Sequence, residues 1–320
     1  MTRYLVTGAA GFIGSNFVRV LLRSDPGAQV TNLDALTYAG VPATVAELDA
    51  DPRHTFVCGD VRDAKLLADV VPGHDVVVHF AAESFVDRSI SGPHVFLETN
   101  VVGTGCLLDA ARAAGVTRFL HISTDEVYGS LAEGFADEAF PLQPSSPYSA
   151  SKAASDLLAL SYGVTYGLPV VVTRCTNNYG PYQFPEKVIP LFITNLLEGG
   201  TVPLYGDGRN ERDWLFVDDH CAALLTILER GESGAVYNIG ASNQVTNLEL
   251  TRAILRALDL ADDRIENVPD RPGHDLRYAV DSGRVRELGW KPEVDLASGL
   301  DRTIAWYRTH RPWWVPLKER

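Results

Sequence analysis

The sequence predicts an α/β fold: a doubly wound parallel sheet with a smaller C-terminal α/β lobe. Three observations predict it. Val-rich apolar runs alternate with helix-length segments up to residue 175, the pattern of a parallel sheet buried on both faces. A glycine-rich turn joins the first run to the first helix-length segment, as in right-handed, doubly wound sheets. Beyond residue 175 the texture changes, and Pro, Gly and Asn cluster in NNYGPYQFPEK and PDRPGHD.

The strands expected from these runs are RYLVT (3–7), QVTNL (29–33), TFVCG (55–59), DVVVHFAA (75–82), RFLHIS (118–123) and PVVVTRC (169–175). Helices are expected near 12–24, 62–71, 93–114 and 148–166. The division that follows is a sheet domain over 1–175 and a second lobe over 176–320 that closes on the crevice, with room for a segment of it to return to the main sheet. No internal repeat or low-complexity tract interrupts the pattern.

Composition narrows the function. The 320 residues are 46% hydrophobic and 22% charged, with a net charge of −13 and no Lys/Arg block. Such a surface repels nucleic acid and anionic membranes. An anionic small ligand would need a local cluster of cations or backbone N–H donors. The opening RYLVTG reads as a strand and not as a signal peptide, and no apolar run approaches membrane-spanning length. Cys58, Cys106, Cys175 and Cys221 are scattered without a CxxC. They are expected to be four buried, reduced thiols of a cytoplasmic protein. No His/Cys spacing suggests a metal.

The first turn is TGAAGFIGSN, with Gly8, Gly11 and Gly14 spaced GxxGxxG around Phe12 and Ile13. Cβ-free positions let backbone approach a pyrophosphate at a helix N-terminus, and the last glycine permits close helix–strand packing. A plain strand–helix turn would use the same residues. Asp34, twenty residues past Gly14 at the end of the second strand, favours the dinucleotide reading. A carboxylate there accepts from ribose hydroxyls and repels a 2′-phosphate. Ala35, Leu36 and Thr37 follow it, with no Lys or Arg nearby, so NAD is favoured over NADP. Asp60 and Val61 are placed to flank an adenine, with a helix N-cap as the other reading of Asp60.

YSASK places Tyr148 and Lys152 on one helical face, after a strand ending in Ser123 and Thr124. The charge of Lys152 is expected to lower the pKa of the Tyr148 phenol, making it a base for a hydroxyl that loses hydride to NAD. Between them stands STDEVYG, with Asp125 and Glu126 adjacent. Taken alone, the two acids read as a turn with a surface charge.

TGAAGFIG, Asp34, STDEVYG and YSASK together resemble the extended short-chain dehydrogenase/reductase family, whose sheet is Rossmann-type. AAESFVDRSI, NNYGPYQFPEKVIP, YGDGRNERDW and DRPGHDLRY narrow the resemblance to its nucleotide-sugar 4,6-dehydratases, from residue 4 to about 310. The resemblance implies Glu126 as the base at C5 of a hexose, Asp125 as the acid at the C6 hydroxyl, and Thr124 as a donor to the C4 oxygen. For Asp125 to serve, its pKa must be raised by burial or by its neighbour. The resemblance also implies cofactor contacts from Phe80, Ala81, Ala82, Ser84, Thr99, Tyr148, Lys152 and Asn178. It implies substrate contacts from Ser84, Asn177, Lys187, Val188, the Pro203–Tyr205 stretch, Arg212, Asn247, Arg271 and His274. The implied partners are a nucleotide-diphosphate sugar and a second copy of the chain, docked through helices that include the YSASK helix. Phe85 departs from the histidine common at that position.

Rival readings remain. Sugar-nucleotide epimerases and decarboxylases need the Tyr–Lys oxidation without paired acids, so STDEVYG stands against them. A non-catalytic NAD-binding regulator would not need Tyr148, Lys152 and both acids. The base stays open between thymine and uracil, because a thymine methyl asks only for a small apolar niche.

Overall fold

In the computed structural model, residues 1–270 and 275–318 are described. The chain forms twelve strands among these residues: β1 (Thr2–Thr7), β2 (Ala28–Asp34), β3 (His54–Cys58), β4 (Val76–His79), β5 (Arg118–Thr124), β6 (Val170–Cys175), β7 (Asn177–Tyr179), β8 (Val202–Tyr205), β9 (Glu211–Phe216), β10 (Val236–Ile239), β11 (Gln244–Thr246) and β12 (Ile265–Val268). The main sheet runs β10-β6-β5-β4-β1-β2-β3, and every pairing in it is parallel. The order reverses between β1 and β4, so a ligand crevice opens at their carboxyl ends.

The sheet is buried on both faces for the reason its Val-rich runs suggested. Val76, Val77, Val78, Val170, Val171 and Val172 are buried, and alternate residues feed two separate apolar cores on either side. β10 comes from the second half of the chain, so that half does contribute to the sheet. A third core joins the Val188–Leu197, Asn247–Ala257, Leu296–Thr309 and Arg311–Lys318 helices around Trp214, Tyr307 and Trp314. β8 pairs with β12, and β9 lies between β7 and β11, in two small sheets.

Two elements differ from expectation. The strand expected over 75–82 stops at His79, because residues beyond it leave the sheet to pass Gly8. A Cβ at Gly8 would lie 2.5 Å from the Ala81 nitrogen, and the φ there is +76°, so glycine is needed twice over. The helix expected over 93–114 is continuous in path but opens into a wide π-type turn at Leu97–Gly103, a form that gathers at functional sites. The cysteines are free as expected, but only Cys175 and Cys221 are buried. Cys58 is exposed and Cys106 intermediate. Cys58 ends β3, the edge strand, where the sheet has no neighbour to cover it. No helix of the described residues is long and apolar enough to cross a membrane.

Candidate active site

One cleft at the carboxyl ends of β1, β2, β4, β5 and β6 collects the expected residues. Its wall includes Gly8, Gly11, Phe12, Ile13, Gly14, Asp34, Ala35, Thr37, Asp60, Val61, Phe80, Ala81, Ala82, Ser84, Thr99, Thr124, Asp125, Glu126, Tyr148, Lys152, Asn177, Asn178 and Lys187.

At the glycine end the fit for a dinucleotide is steric and electrostatic. A Cβ at Gly14 would lie 2.6 Å from the Gly8 carbonyl oxygen, which keeps the Phe12–Ser24 helix hard against the turn. Asp34 is buried, and its carboxylate accepts from the Ala10 and Leu36 amides at 2.9 and 2.8 Å. Burial nonetheless raises its pKa against those two bonds. Leu36 is absent from the cleft wall; its amide serves Asp34 instead. Asp60 is not the helix cap. Asp63 is, accepting from the Lys65 and Leu66 amides, while Asp60 holds the Arg62 guanidinium at 2.7 Å on the wall.

The catalytic end is built by β5 and the Pro147–Tyr166 helix. That helix starts with a capping box between Ser146 and Ser149 and has proline in its first turn. The start places Tyr148 at the cleft and Lys152 one turn deeper, where its ammonium donates to the Ile122 carbonyl at 2.7 Å. Asn100, in the π-type turn, ties the loop after β4 to this helix. It accepts from the Glu83 amide at 2.8 Å and donates to the Ser151 hydroxyl at 2.9 Å.

Strand geometry would send Asp125 and Glu126 to opposite faces. The chain instead leaves β5 at Thr124 and winds a 3₁₀ turn over Asp125–Tyr128, with the Thr124 hydroxyl accepting from the Glu126 amide at 3.3 Å. Both acids thereby reach one wall. Asp125 is 3% exposed. Its Oδ1 accepts from the Thr124 hydroxyl at 3.3 Å, and its Oδ2 has no hydrogen-bond partner among the described residues. Burial, then the charge of Glu126, push its carboxyl well above the usual range, while Arg212 pulls the other way.

One expectation is corrected. The Tyr148 phenol is not depressed: burial, then Glu126 and Cys175, push it well above its ordinary value, with Thr124 opposing. Lys152 donates to the Ile122 carbonyl and is not among the main causes of that shift.

The substrate contacts divide. Lys187 lies on the cleft wall, donates to the Ser84 carbonyl at 2.8 Å, and sits 4.5 Å from the centre of the Phe85 ring. Arg212 is off the wall on β9. It is stacked 4.4 Å over Tyr278 and donates to the carbonyls of Glu211, Asp275 and Leu276. Val188 opens its helix against the third core. Pro203 and Tyr205 lie on β8, and Asn247 opens the Asn247–Ala257 helix with its amide on the Asn210 carbonyl at 2.9 Å. Arg271 and His274 lie outside the described residues.

The wall also holds residues that the motifs did not single out: Tyr38, Arg62, Cys175, Gln183 and Glu186. Arg88 stacks 3.8 Å over Tyr38 and pairs with Glu186 at 3.2 Å. These wall residues come from separate parts of the chain, Cys175 from the end of β6 and Gln183 and Glu186 from one loop, so no one local spacing marks them all.

The family profile described as GDP-mannose 4,6 dehydratase matches residues 5–303. A dTDP-glucose 4,6-dehydratase of Streptomyces niveus is 54% identical over 99% of this chain and 96% of its own. The chain belongs to the nucleotide-sugar 4,6-dehydratase family. Among solved structures, the DesIV dTDP-glucose 4,6-dehydratase of Streptomyces venezuelae, with NAD bound, superposes with a TM-score of 0.97 and 57% identity. It covers 99% of this chain and 100% of its own. A UDP-glucose 4-epimerase of Thermotoga maritima shares the fold at a TM-score of 0.90 but only 30% identity, over 96% of this chain and 99% of its own. The dehydratase is thus much nearer in sequence to the DesIV structure than to that epimerase.

Proposed function

We propose that this chain converts dTDP-glucose to dTDP-4-keto-6-deoxyglucose and water, with NAD as its cofactor. The observation that carries the reading is the 3₁₀ turn that brings a buried Asp125, with its pKa raised, and Glu126 to the same wall as Tyr148 and Lys152. When bound, NAD supplies a hydride acceptor for C4, a hydride source for C6 and a positive ring charge that favours phenolate. Tyr148 takes the proton of the C4 hydroxyl, and Thr124 donates to the C4 oxygen. The resulting ketone acidifies the C5 proton, which Glu126 removes. Asp125, held protonated, gives its proton to the C6 hydroxyl as that group leaves as water. Hydride return to C6, which bound NAD would supply, together with reprotonation of C5 by Glu126, would leave the cycle redox-neutral. Ser84, Asn177 and Lys187 are assigned to the sugar and diphosphate on the same wall, and Arg212, Asn247 and the Pro203–Tyr205 strand to the nucleotide beyond it. The division into a cofactor-binding domain over 1–175 and a substrate lobe over 176–320 is part of this reading. The four unpaired cysteines suit a reducing compartment, and we assign the protein to the cytoplasm.

The test is incubation of purified protein with dTDP-glucose and, separately, UDP-glucose, with product read by mass and by alkaline ultraviolet absorbance. A mass loss of one water from dTDP-glucose is expected. No loss from either sugar would refute the reading, and loss from UDP-glucose alone would reassign the base.

A second copy of the chain is the partner assigned. Leu97, Val102, Leu157 and Val164 are exposed, Leu157 by 58% and Val164 by 90%. They lie on two helical segments packed against each other, Leu97–Gly103 and Pro147–Tyr166, an apolar grouping that suits burial against its own copy. Light scattering should give twice the monomer mass. Leu157→Asp should give the monomer mass with unchanged circular dichroism. A wild-type monomer would end this assignment.

A further inference from the structure

The reaction as described leaves unused a buried charge one turn beyond Lys152. Asp156 is fully buried on the catalytic helix, at the i,i+4 position that shares a face with Lys152. Its carboxylate faces the His121 ring at 3.3 Å and the Arg174 Nε at 2.9 Å. Arg174 lies on β6 and is itself 3% exposed. Its Nη1 donates to the Tyr128 hydroxyl at 2.9 Å, and its guanidinium carbon is 4.9 Å from the centre of the Tyr128 ring. The Tyr128 hydroxyl donates in turn to the Asn238 side-chain Oδ1 at 2.8 Å, and the Asn238 Nδ2 donates to the Ala136 carbonyl at 3.0 Å.

A buried ion pair of this kind stabilises little by itself against apolar side chains of equal size, and it is kept where position matters. Its two ends show which positions these are. One end is the catalytic helix beside Lys152. The other is Tyr128, the last residue of the four-residue turn that begins with Asp125 and Glu126. The turn is also held where the Val127 carbonyl accepts from the Gln143 amide at 3.0 Å, and its internal bonds are longer, with Glu126 N to Thr124 Oγ1 at 3.3 Å and Gly129 N to the Glu126 carbonyl at 3.2 Å. Tyr148 and Lys152 have separate restraints, the capping box and the Ile122 carbonyl. His121, Arg174 and Lys152 hold the Asp156 carboxyl below its ordinary pKa although burial pushes it up, so the Arg174 partner stays ionised.

Building on the dehydratase reading, we propose that Asp156, Arg174 and Tyr128 are positioning residues that set the Asp125–Glu126 turn in register with the Tyr148–Lys152 pair, so that elimination depends on this chain and C4 oxidation does not. A displaced acid or base is costly because reacting groups must be held to within an ångström.

The test is a single turnover of NAD-loaded enzyme with dTDP-glucose, following the near-ultraviolet absorbance of reduced cofactor. Its rise reports oxidation, and its decay reports elimination with hydride return. Tyr128→Phe removes only the hydroxyl. Its rise should match the wild type, its decay should slow by about 10- to 100-fold, and reduced cofactor should accumulate. Arg174→Lys keeps the charge but loses the planar fork, and should give the same signature. Equal slowing of rise and decay, the mark of general loosening, would overturn the proposal, as would an unchanged decay in either variant. A Tyr128→Phe protein that cannot be loaded leaves Arg174→Lys to decide on the same criterion. If wild-type enzyme dehydrates dTDP-glucose and the variants do not split the phases, only the positioning chain is lost. If the wild type does not dehydrate it, both readings fall.

Discussion

Glu126→Gln should oxidise the hexose at C4 and stop there. The amide has nearly the shape of the carboxylate but cannot take the C5 proton, so elimination should fall by about 10²–10⁴-fold. Tyr148, Lys152 and Thr124 are untouched, so reduced cofactor should build up on mixing with substrate and decay slowly. Deuterium at C5 should then remain unexchanged with solvent. Exchange at C5 at the wild-type rate would remove Glu126 from its role. The same substitution also takes a negative neighbour from Asp125 and from Tyr148, both of which it pushes upward. The pH at which the oxidation rate reaches half its maximum should therefore move to lower values.

Asp125→Asn should lose activity and gain stability. An amide is a poor proton donor to a leaving hydroxyl, and dehydration should fall by about 10²–10⁴-fold. The stability change follows from the direction of the Asp125 shift. Burial raises its folded pKa, so its contribution to stability is fully present below the unfolded value and is lost as pH rises towards the folded one. Asparagine does not titrate and carries no such loss. The melting temperature of Asp125→Asn should exceed that of the wild type at pH 7, and the margin should close as pH falls below about 4, the ordinary aspartate range. A margin that does not change between acid and neutral pH would show that Asp125 is not held protonated by the fold. Gain of stability on loss of a catalytic group is the usual sign of a site built for chemistry at a cost to folding.

The sheet was legible because its signals are local. Val-rich runs, the YSASK spacing that puts Tyr148 and Lys152 on one helical face, and glycines around a tight turn each act within a few residues. What escaped was decided by distant contacts. The fourth strand ends early because Gly8, more than seventy residues away, leaves space for Ala81 to cross. Cys58 is exposed because of where β3 lies in the strand order. Tyr38, Arg88 and Glu186 meet from two loops and the Val86–Ser91 helix. Two signals were available and unread: Asp156 four residues past Lys152, and Arg174 inside an otherwise apolar strand, a charge rarely buried without a partner.

The sequence by itself determined the order of the elements up to residue 175, the glycine turn and the Tyr148–Lys152 spacing, since these rest on residue type and short spacing, whereas the roles of Asp125 and Glu126 came from the resemblance to the dehydratase family. Only the tertiary structure decided in which direction each group's pKa moves. Asp125 and Tyr148 are raised and Asp156 is lowered, because a buried charge is governed by the elements packed around it and not by its neighbours in the chain.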